Sequence, residues 1–298
     1  MISDEELMSL DARGLIPGPD ENEEAFVKRV QMVEEFFQSP QRFLEDSPFS
    51  FENPVAKHRT LWSRLQLKEI FNIEPDWLPC YFDNEKLPFW QPAATWVLET
   101  KDQTTRLALI QLRKALKKGT YLRIYSQAEV LAHEGAHAAR MAFDEPVSEE
   151  IFSYLTSTSR IRRVWGPIMR SAFQAKLFMI FIMATMVSSV IFLLFPNPFF
   201  AFLLPLCLSC TIGWFSIGVL RLFFTRLRFN RAHQKLFKLL KNKKMTRSVL
   251  FRLTDREIKE FSRMSPKEIE AYVEEKRTSS LRWRLIHLAY FSLKKSVS

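Results

Sequence analysis

The longest apolar stretch of the chain runs from Leu177 to Leu220 and contains no Asp, Glu, Lys, Arg or His. A Pro-Asn-Pro sequence at 196–198 divides it into segments of 19 and 22 residues, 177–195 and 199–220. At about 1.5 Å per helical residue, each segment is long enough to cross about 30 Å of hydrocarbon. Because proline cannot continue a helix, the Pro-Asn-Pro sequence predicts a tight reversal. The pattern therefore predicts a two-helix transmembrane hairpin.

Basic side chains flank this hairpin on both sides, and its tip carries no charge. By the positive-inside rule, the segments before and after the hairpin, with both termini, are expected in the cytosol. The formal net charge of +10 comes largely from these flanks, whose placement favours anionic lipid head groups over nucleic acid as the partner. Residues 1–25 are acidic and polar, unlike a signal peptide. The basic flanks contain Arg160, Arg162, Arg163, Arg170 and Lys176, and then Arg221, Arg226, Arg228, Arg231, Lys235, Lys238, Lys241, Lys243, Lys244 and Arg247.

Shorter periodic patterns predict the remaining elements. Aromatic residues among the basic ones after the hairpin (Phe223, Phe224, Phe229, Phe237) suit an interfacial amphipathic helix. A Pro-rich and aromatic region, 39–93, predicts short elements that pack against the core. Spacing of 3.6 residues predicts helices over 21–38, 103–117 and 280–294, and alternation predicts strands over 94–100 and 120–125.

The candidate chemistry lies in a helix that the sequence predicts from a capping box at Ser126 and Glu129 to about Met141. This helix contains His133-Glu134-Gly135-Ala136-His137, an HExxH pentad. Positions four apart lie on one helix face, so His133 and His137 are candidate ligands of one Zn²⁺. Glu134 beside them is the candidate general base.

The predicted order of strand, helix, strand and HExxH helix over roughly 90–155 resembles the core of the zincin metallopeptidases. The resemblance implies an α+β, mostly helical catalytic domain that binds Zn²⁺ and hydrolyses a peptide or protein substrate, here at a membrane. The metzincin extension HExxHxxGxxH is not matched, because Arg140 and Phe143 occupy its glycine and third histidine positions. The gluzincin type, which takes a glutamate from a following helix, is therefore the closer resemblance.

Three glutamates are candidates for the third ligand under this resemblance. Glu150, followed by Ser153, fits the Glu-x-x-Ser/Ala spacing best, Glu149 is the close second, and Glu268 begins a further Glu-x-x-Ala sequence. Candidate supporting groups are Tyr154 and Arg140 as donors to the reacting oxygen, and Asp144 and Glu145 as carboxylates that orient the histidine rings.

The sequence thus divides into four regions and supports two functions. The first function is a membrane-anchored zinc metallopeptidase at the cytosolic membrane face, with membrane-protein processing or quality control as its candidate roles. The alternative is a non-catalytic membrane scaffold that retains a zincin-like fold. Capping boxes at 254–257 and 265–268 predict short helices in the last region. The regions are an N-terminal helical and irregular region (1–90), a zincin-like catalytic core (91–170), the transmembrane hairpin (177–220) and a basic, helical C-terminal region (221–298).

Overall fold

The structure, a computed structural model, describes residues 2–43, 50–99 and 105–292, and these residues are mostly helical. The helices before the hairpin are α1 (Asp4–Ala12), α2 (Glu23–Gln38), α3 (Lys57–Phe71), α4 (Gln127–Ala139), α5 (Pro146–Leu155) and α6 (Arg160–Trp165). The hairpin and later helices are α7 (Ala172–Leu194), α8 (Pro198–Leu240), α9 (Lys243–Phe251), α10 (Asp255–Phe261), α11 (Pro266–Lys276) and α12 (Leu281–Ile286). The strands are β1 (Cys80–Phe82), β2 (Ala93–Glu99), β3 (Arg106–Leu112), β4 (Thr120–Tyr121) and β5 (Tyr125–Ser126).

A small three-stranded sheet has the order β1-β3-β2, with β1 parallel and β2 antiparallel to the central β3. Ile110 of β3 is opposite Cys80 on one side and Thr95 on the other. The strand predicted over 94–100 is confirmed as β2, apart from residue 100, which lies outside the described residues.

The helix predicted over 103–117 is wrong in the part that the structure describes. Residues 106–112 form β3, and a 3₁₀ helix follows at Lys114–Lys118. Both faces of β3 are buried from Leu107 to Leu112, so its sequence is a continuous apolar run. Such a run satisfies the helical and the strand spacing equally well. Residues 103 and 104 lie outside the described residues.

The single strand predicted over 120–125 is wrong as well, because the segment folds back on itself. Two-residue strands β4 and β5 pair antiparallel around a turn at Leu122 and Arg123. Both turn residues have positive φ, 49° and 58°.

The helix α2 confirms the pattern predicted over 21–38, whereas α3 was predicted only as part of a region of short elements. α3 packs closely on α4: a Cβ added at Gly135 would lie 2.9 Å from Leu67 Cδ1. Gly135 therefore lies where α4 is in close contact with α3, against the end of the Leu67 side chain.

The larger apolar core draws on regions from both ends of the chain. Phe71 of α3 stacks on Phe251 of α9, with ring centroids 4.2 Å apart. Phe152 of α5 packs edge-on against Phe251 and against Phe229 of α8. The elements that follow the hairpin thus complete the core around α4 and α5.

The helices α7 and α8 form the predicted hairpin and are long and apolar enough to span a membrane. Asn197 begins α8, and its Oδ1 accepts a hydrogen bond from the Phe200 amide at 3.1 Å. The two helices also share a hydroxyl contact, Thr185 Oγ1 to Thr211 Oγ1 at 2.9 Å.

The basic segment after Leu220 does not form a separate interfacial helix, because α8 continues through it to Leu240. Phe229 is buried in the larger apolar core, whereas Phe223 and Phe224 are exposed. The two C-terminal capping boxes are confirmed at the starts of α10 and α11. The helix predicted over 280–294 consists of α12 and a π-helical turn, His287–Phe291, and residues 293–294 lie outside the described part.

Candidate metal centre

The pentad lies in the second half of α4, as predicted, but the predicted capping box is wrong. The side chain of Ser126, the N-cap residue, makes no capping hydrogen bond. The Glu129 carboxylate instead accepts hydrogen bonds from Thr158 and from Arg162 Nη2, the latter at 2.5 Å. Glu129 thereby ties the metal-motif helix to the loop before α6.

Three potential ligand atoms converge where α4 faces α5. His133 Nε2 and His137 Nε2 are 3.3 Å apart. Glu150 of α5 reaches both rings, with Oε2 3.8 Å from His133 Nε2 and Oε1 3.6 Å from His137 Nε2. Among the described residues, His133, His137 and Glu150 are the group whose donor atoms lie within 4.8 Å of one another.

The donor set fits a tetrahedral metal ion. Two atoms that each lie about 2.0–2.1 Å from one tetrahedral Zn²⁺ are about 3.4 Å apart, close to the observed Nε2–Nε2 distance. His137 Nδ1 lies 2.7 Å from Glu149 Oε1, so a neutral His137 donates its Nδ1 proton and presents the Nε2 lone pair to the cluster. Two nitrogen lone pairs and a carboxylate that point to one place need a proton or a cation between them.

The structure separates the three glutamates proposed for the third ligand position. Glu150 lies beside both imidazoles, whereas Glu149 binds His137 on the ring edge that faces away from His133. Glu268 lies on α11 and is exposed, and its Oε2 accepts the Ser265 amide at 2.6 Å as part of a capping box. Glu149 thus has the position of a carboxylate that orients a ligand histidine, a role the sequence had suggested for Asp144 and Glu145.

Asp144 and Glu145 make other contacts. Asp144 lies 3.8 Å from Arg106, and Glu145 Oε2 accepts the Asp255 amide at 2.8 Å. The Asp255 carboxylate in turn accepts the amides of Val147 and Ser148 at 2.8 Å each, and so caps the N-terminus of α5. A residue after the hairpin therefore helps to hold the helix that carries Glu149 and Glu150, and no local sequence pattern indicated this contact.

The side chain of Glu134 lies between α4 and the strand β2. The Thr95 hydroxyl is 2.7 Å from Glu134 Oε2 and 3.0 Å from the Glu134 carbonyl oxygen. A hydroxyl has one proton, so Thr95 donates to only one of these oxygens at a time. Among the described residues, Glu134 Oε1 accepts no hydrogen bond. Thr95 was not singled out from the sequence, because a lone threonine in a strand carries no motif.

Tyr154 and Arg140, the two suggested donors, lie in different surroundings. The Tyr154 ring packs edge-on against His133, with centroids 4.6 Å apart, and a Cβ added at Gly166 would lie 2.3 Å from this ring. Arg140 is buried, and its guanidinium donates to the carbonyl oxygens of Phe251 and Leu253. Tyr154 thus borders the cluster, while Arg140 is bound to the main chain after α9.

Burial and mutual charge shift the ionisation of the cluster. Burial, together with the neighbouring His137, lowers the pKa of His133. Burial alone would lower the pKa of His137, but the hydrogen bond to Glu149 and the charges of Glu150 and Glu149 raise it to about 9. Burial raises the pKa of Glu150 to about 7 and also raises that of Glu134.

Comparisons with protein-family models, with curated proteins and with solved structures found no significant match to this chain.

Proposed function

We propose that the protein is a membrane-anchored zinc metallopeptidase in which His133, His137 and Glu150 bind one Zn²⁺. The observation that carries the proposal is the convergence of the two Nε2 atoms and the Glu150 carboxylate, with Glu149 behind His137. A carboxylate on the outer nitrogen of a ligand histidine fixes its tautomer and strengthens it as a ligand.

Zinc bound in such a site acidifies a water molecule and polarises a carbonyl group. Glu134 is the general base: it takes a proton from the attacking water and later delivers a proton to the leaving amine. The Thr95 hydroxyl lies 2.7 Å from Oε2 of this carboxylate, so Thr95 can hold the carboxylate in place beside β2. His133 and His137 would hold the metal, and Tyr154 keeps the His133 ring in place by packing on it.

The substrate class follows from the strand beside Glu134. β2 is one of the two outer strands of the three-stranded sheet, and Thr95 connects it directly to the proposed base. An edge strand offers its main-chain groups to an extended peptide, which pairs with it as an additional strand. A peptide bound in this way would pass close to Glu134.

We further propose that α7 and α8 cross the membrane, with both termini and the metal cluster in the cytosol. The charge-free tip and the basic flanks support this orientation. Phe152, two residues after Glu150, packs on Phe229, which follows Leu220 by nine residues, or about 14 Å of helix. The site would therefore act on peptides near the cytosolic membrane face.

Zinc content tests the metal site directly. Full-length protein purified in detergent is analysed for zinc as wild type, His137→Ala, Glu150→Gln and Glu268→Gln. We expect about one zinc per chain in the wild type and in Glu268→Gln, and none in the other two. Loss in Glu268→Gln with retention in Glu150→Gln would move the third ligand to α11, and absence of zinc from reconstituted wild type would overturn the proposal.

Peptide hydrolysis tests the chemistry separately. The wild-type protein in lipid nanodiscs is assayed against a mixture of peptides, before and after treatment with a zinc chelator and again after zinc is restored. We expect hydrolysis that the chelator abolishes and zinc restores. Stoichiometric zinc without any hydrolysis would favour the non-catalytic scaffold instead.

A further inference from the structure

We propose that a second surface of the protein, separate from the α7–α8 hairpin, inserts into the cytosolic leaflet of the membrane that α7 and α8 span. This surface, the rim patch, is formed by the tip of the β4–β5 hairpin and one face of α6, and its occupant is the head-group layer of an anionic bilayer. The proposal rests on the proposed insertion of α7 and α8. Its apolar members are Leu122, Ile124, Ile161, Val164 and Trp165.

The rim patch exposes large apolar side chains at neighbouring positions. Ile161 is 73% exposed and Ile124 is 61% exposed, and the other three members are between 46% and 55% exposed. Single exposed apolar residues are normal on soluble proteins, but a contiguous group indicates a surface that binds a partner or a membrane.

The two parts of the patch are held together as one surface. Ile161, Val164 and Trp165 have the i, i+3, i+4 spacing of one helix face. Arg162, on another face of α6, donates to the Ile124 carbonyl oxygen at 3.0 Å and to Glu129 at 2.5 Å. The tip of the β4–β5 hairpin is thereby bound to α6, and both are bound to α4 through Glu129.

The turn at the tip keeps its apolar side chains outward at an energetic cost. Leu122 and Arg123 occupy the left-handed region, with φ of 49° and 58°. Glycine and asparagine adopt this region readily, whereas a bulky residue such as leucine or arginine is strained there. Backbone strain of this kind persists where it serves a function, and here it presents Leu122 and Ile124 beyond the strands.

The depth of the rim patch relative to the membrane can be estimated from its contacts with α8. Arg221, the first charged residue after the apolar segment, donates to the Ile168 carbonyl oxygen at 3.0 Å. Arg226, about 8 Å further along the helix, donates to the Arg163 carbonyl oxygen of α6. A head-group layer is about 5–8 Å thick on each side of the hydrocarbon, so α6 lies at head-group depth if the apolar segment spans the membrane.

The charges around the patch complement anionic lipid. Arg123 in the turn and Arg160 at the start of α6 are exposed, and Arg163 follows between the apolar positions. Neither 121–125 nor 160–165 contains Asp or Glu. An anionic surface attracts these arginines, and tryptophan is enriched at membrane interfaces, so the three arginines and Trp165 favour a bilayer over a protein partner.

The inference is tested by measuring depth with single cysteines in the full-length chain. Ile124→Cys and Ile161→Cys are made in a Cys80→Ala, Cys207→Ala, Cys210→Ala background and labelled with an environment-sensitive fluorophore. Met186→Cys, in the middle of α7, is the deep control. Arg263→Cys is the aqueous control, because its neighbour Ser262 accepts a hydrogen bond from Lys235, about 21 Å beyond Arg221 along α8. Each protein is reconstituted in vesicles of 3:1 phosphatidylcholine and phosphatidylglycerol that contain lipids with a quencher near the head group or deep in the acyl chain.

We expect the Ile124 and Ile161 labels to have blue-shifted emission and to be quenched at least threefold more by the shallow than by the deep quencher. The Met186 label should show the opposite preference, and the Arg263 label should not be quenched by either. If neither quencher affects the Ile124 and Ile161 labels while the Met186 label is quenched, the rim insertion is overturned, and the membrane insertion of α7 and α8 still stands. Blue-shifted rim labels that no lipid quencher reaches would also overturn it, because a polypeptide would then cover the patch. An unquenched Met186 label would overturn the membrane insertion of the hairpin itself and the rim insertion with it.

Discussion

Charged groups meet in two regions of the protein, one almost fully buried and one partly buried, which differ in how those charges are balanced. In the first region, where α1 packs against the C-terminal helices, Asp11 binds Arg252 through two hydrogen bonds of 2.7 and 2.8 Å, and Glu257 binds Arg282 through two of 2.7 and 2.9 Å. Each carboxylate there faces a guanidinium, and both pairs are almost fully buried.

The cluster between α4 and α5 has no such balance. It contains the carboxylates of Glu134, Glu149 and Glu150 around two imidazoles, and within the described residues neither Glu134 nor Glu150 pairs with a lysine or arginine. A buried ion pair that is complete in itself needs no further partner, whereas a surplus of converging acceptors is balanced by bound protons or by the metal ion proposed above. The comparison thus separates carboxylates that each face a guanidinium from carboxylates that converge without one, and each prediction below tests one side of it.

The largest effect is expected from Glu134→Gln. Glutamine keeps the shape of the side chain but cannot accept a proton, so peptide hydrolysis should fall by about 10²–10⁴-fold. Zinc content should stay at the wild-type level, because Glu134 is not among the proposed ligands. Measured hydrolysis rates and zinc content on the same preparation check this, and hydrolysis that survives would exclude Glu134 as the base.

On the structural side of the comparison, Asp11→Asn should lower the free energy of unfolding by about 3–5 kcal/mol. The substitution leaves Arg252 buried without its counter-charge. The measurement is urea unfolding of the full chain in detergent, followed by tryptophan fluorescence.

The matched control for Asp11→Asn is Glu260→Gln, which breaks an exposed pair with Arg256 at 3.9 Å. An exposed pair contributes about 0–1 kcal/mol, so this variant should unfold almost like the wild type. Similar losses of unfolding free energy in both variants would mean that the buried pair contributes no more to stability than the exposed pair.

A smaller effect is expected where the comparison is most direct, between adjacent glutamates of α5. Glu149→Gln should weaken zinc binding by about 10–100-fold, because a neutral amide orients His137 less well than a carboxylate. Glu150→Gln should abolish stoichiometric binding. Competition with a chromophoric zinc chelator measures both affinities, and equal affinities of the two variants would contradict the assignment of separate roles.

The smallest effect concerns the acid sensitivity of the structural pair. Burial alone would raise the pKa of Glu257, but hydrogen bonds and charge from Arg282 and the Thr254 amide lower it overall. A carboxyl whose folded-state pKa lies below its unfolded value of about 4.3 stabilises the fold above that pH. This contribution is lost as the pH falls from about 4.3 through the folded-state pKa.

Urea unfolding between pH 7 and pH 3 checks this prediction, with wild type compared to Glu257→Gln. The wild type should lose stability below about pH 4.3, and the variant should show a shallower decline over the same range. Parallel declines would assign the acid sensitivity to other carboxyl groups.

Several features of the protein follow from local sequence alone. The apolar hairpin and its reversal at Asn197 were predictable because an uninterrupted apolar run and helix-breaking prolines act within a few residues. The capping boxes at Thr254 and Ser265 formed for the same reason. The box predicted at Ser126 did not form, because Glu129 binds Thr158 and Arg162, which lie about thirty residues further along the chain.

What the sequence by itself determined was therefore the two histidines of the pentad on one face of a helix, the hairpin and the short list of acidic partners. Only the tertiary structure decided that residues 106–112 form a strand, since a run buried on both faces fits either spacing. It also placed Glu150 beside both imidazoles and Glu149 on the outer edge of His137. Which of the two glutamates faces the histidines depends on how α5 is rotated against α4. Packing on Phe229 and capping by Asp255 hold α5 in this orientation, and Phe229 and Asp255 both follow the hairpin in the chain. Contacts between residues about eighty or a hundred positions apart leave no periodic signal in the chain, and these contacts are what bring the candidate site together.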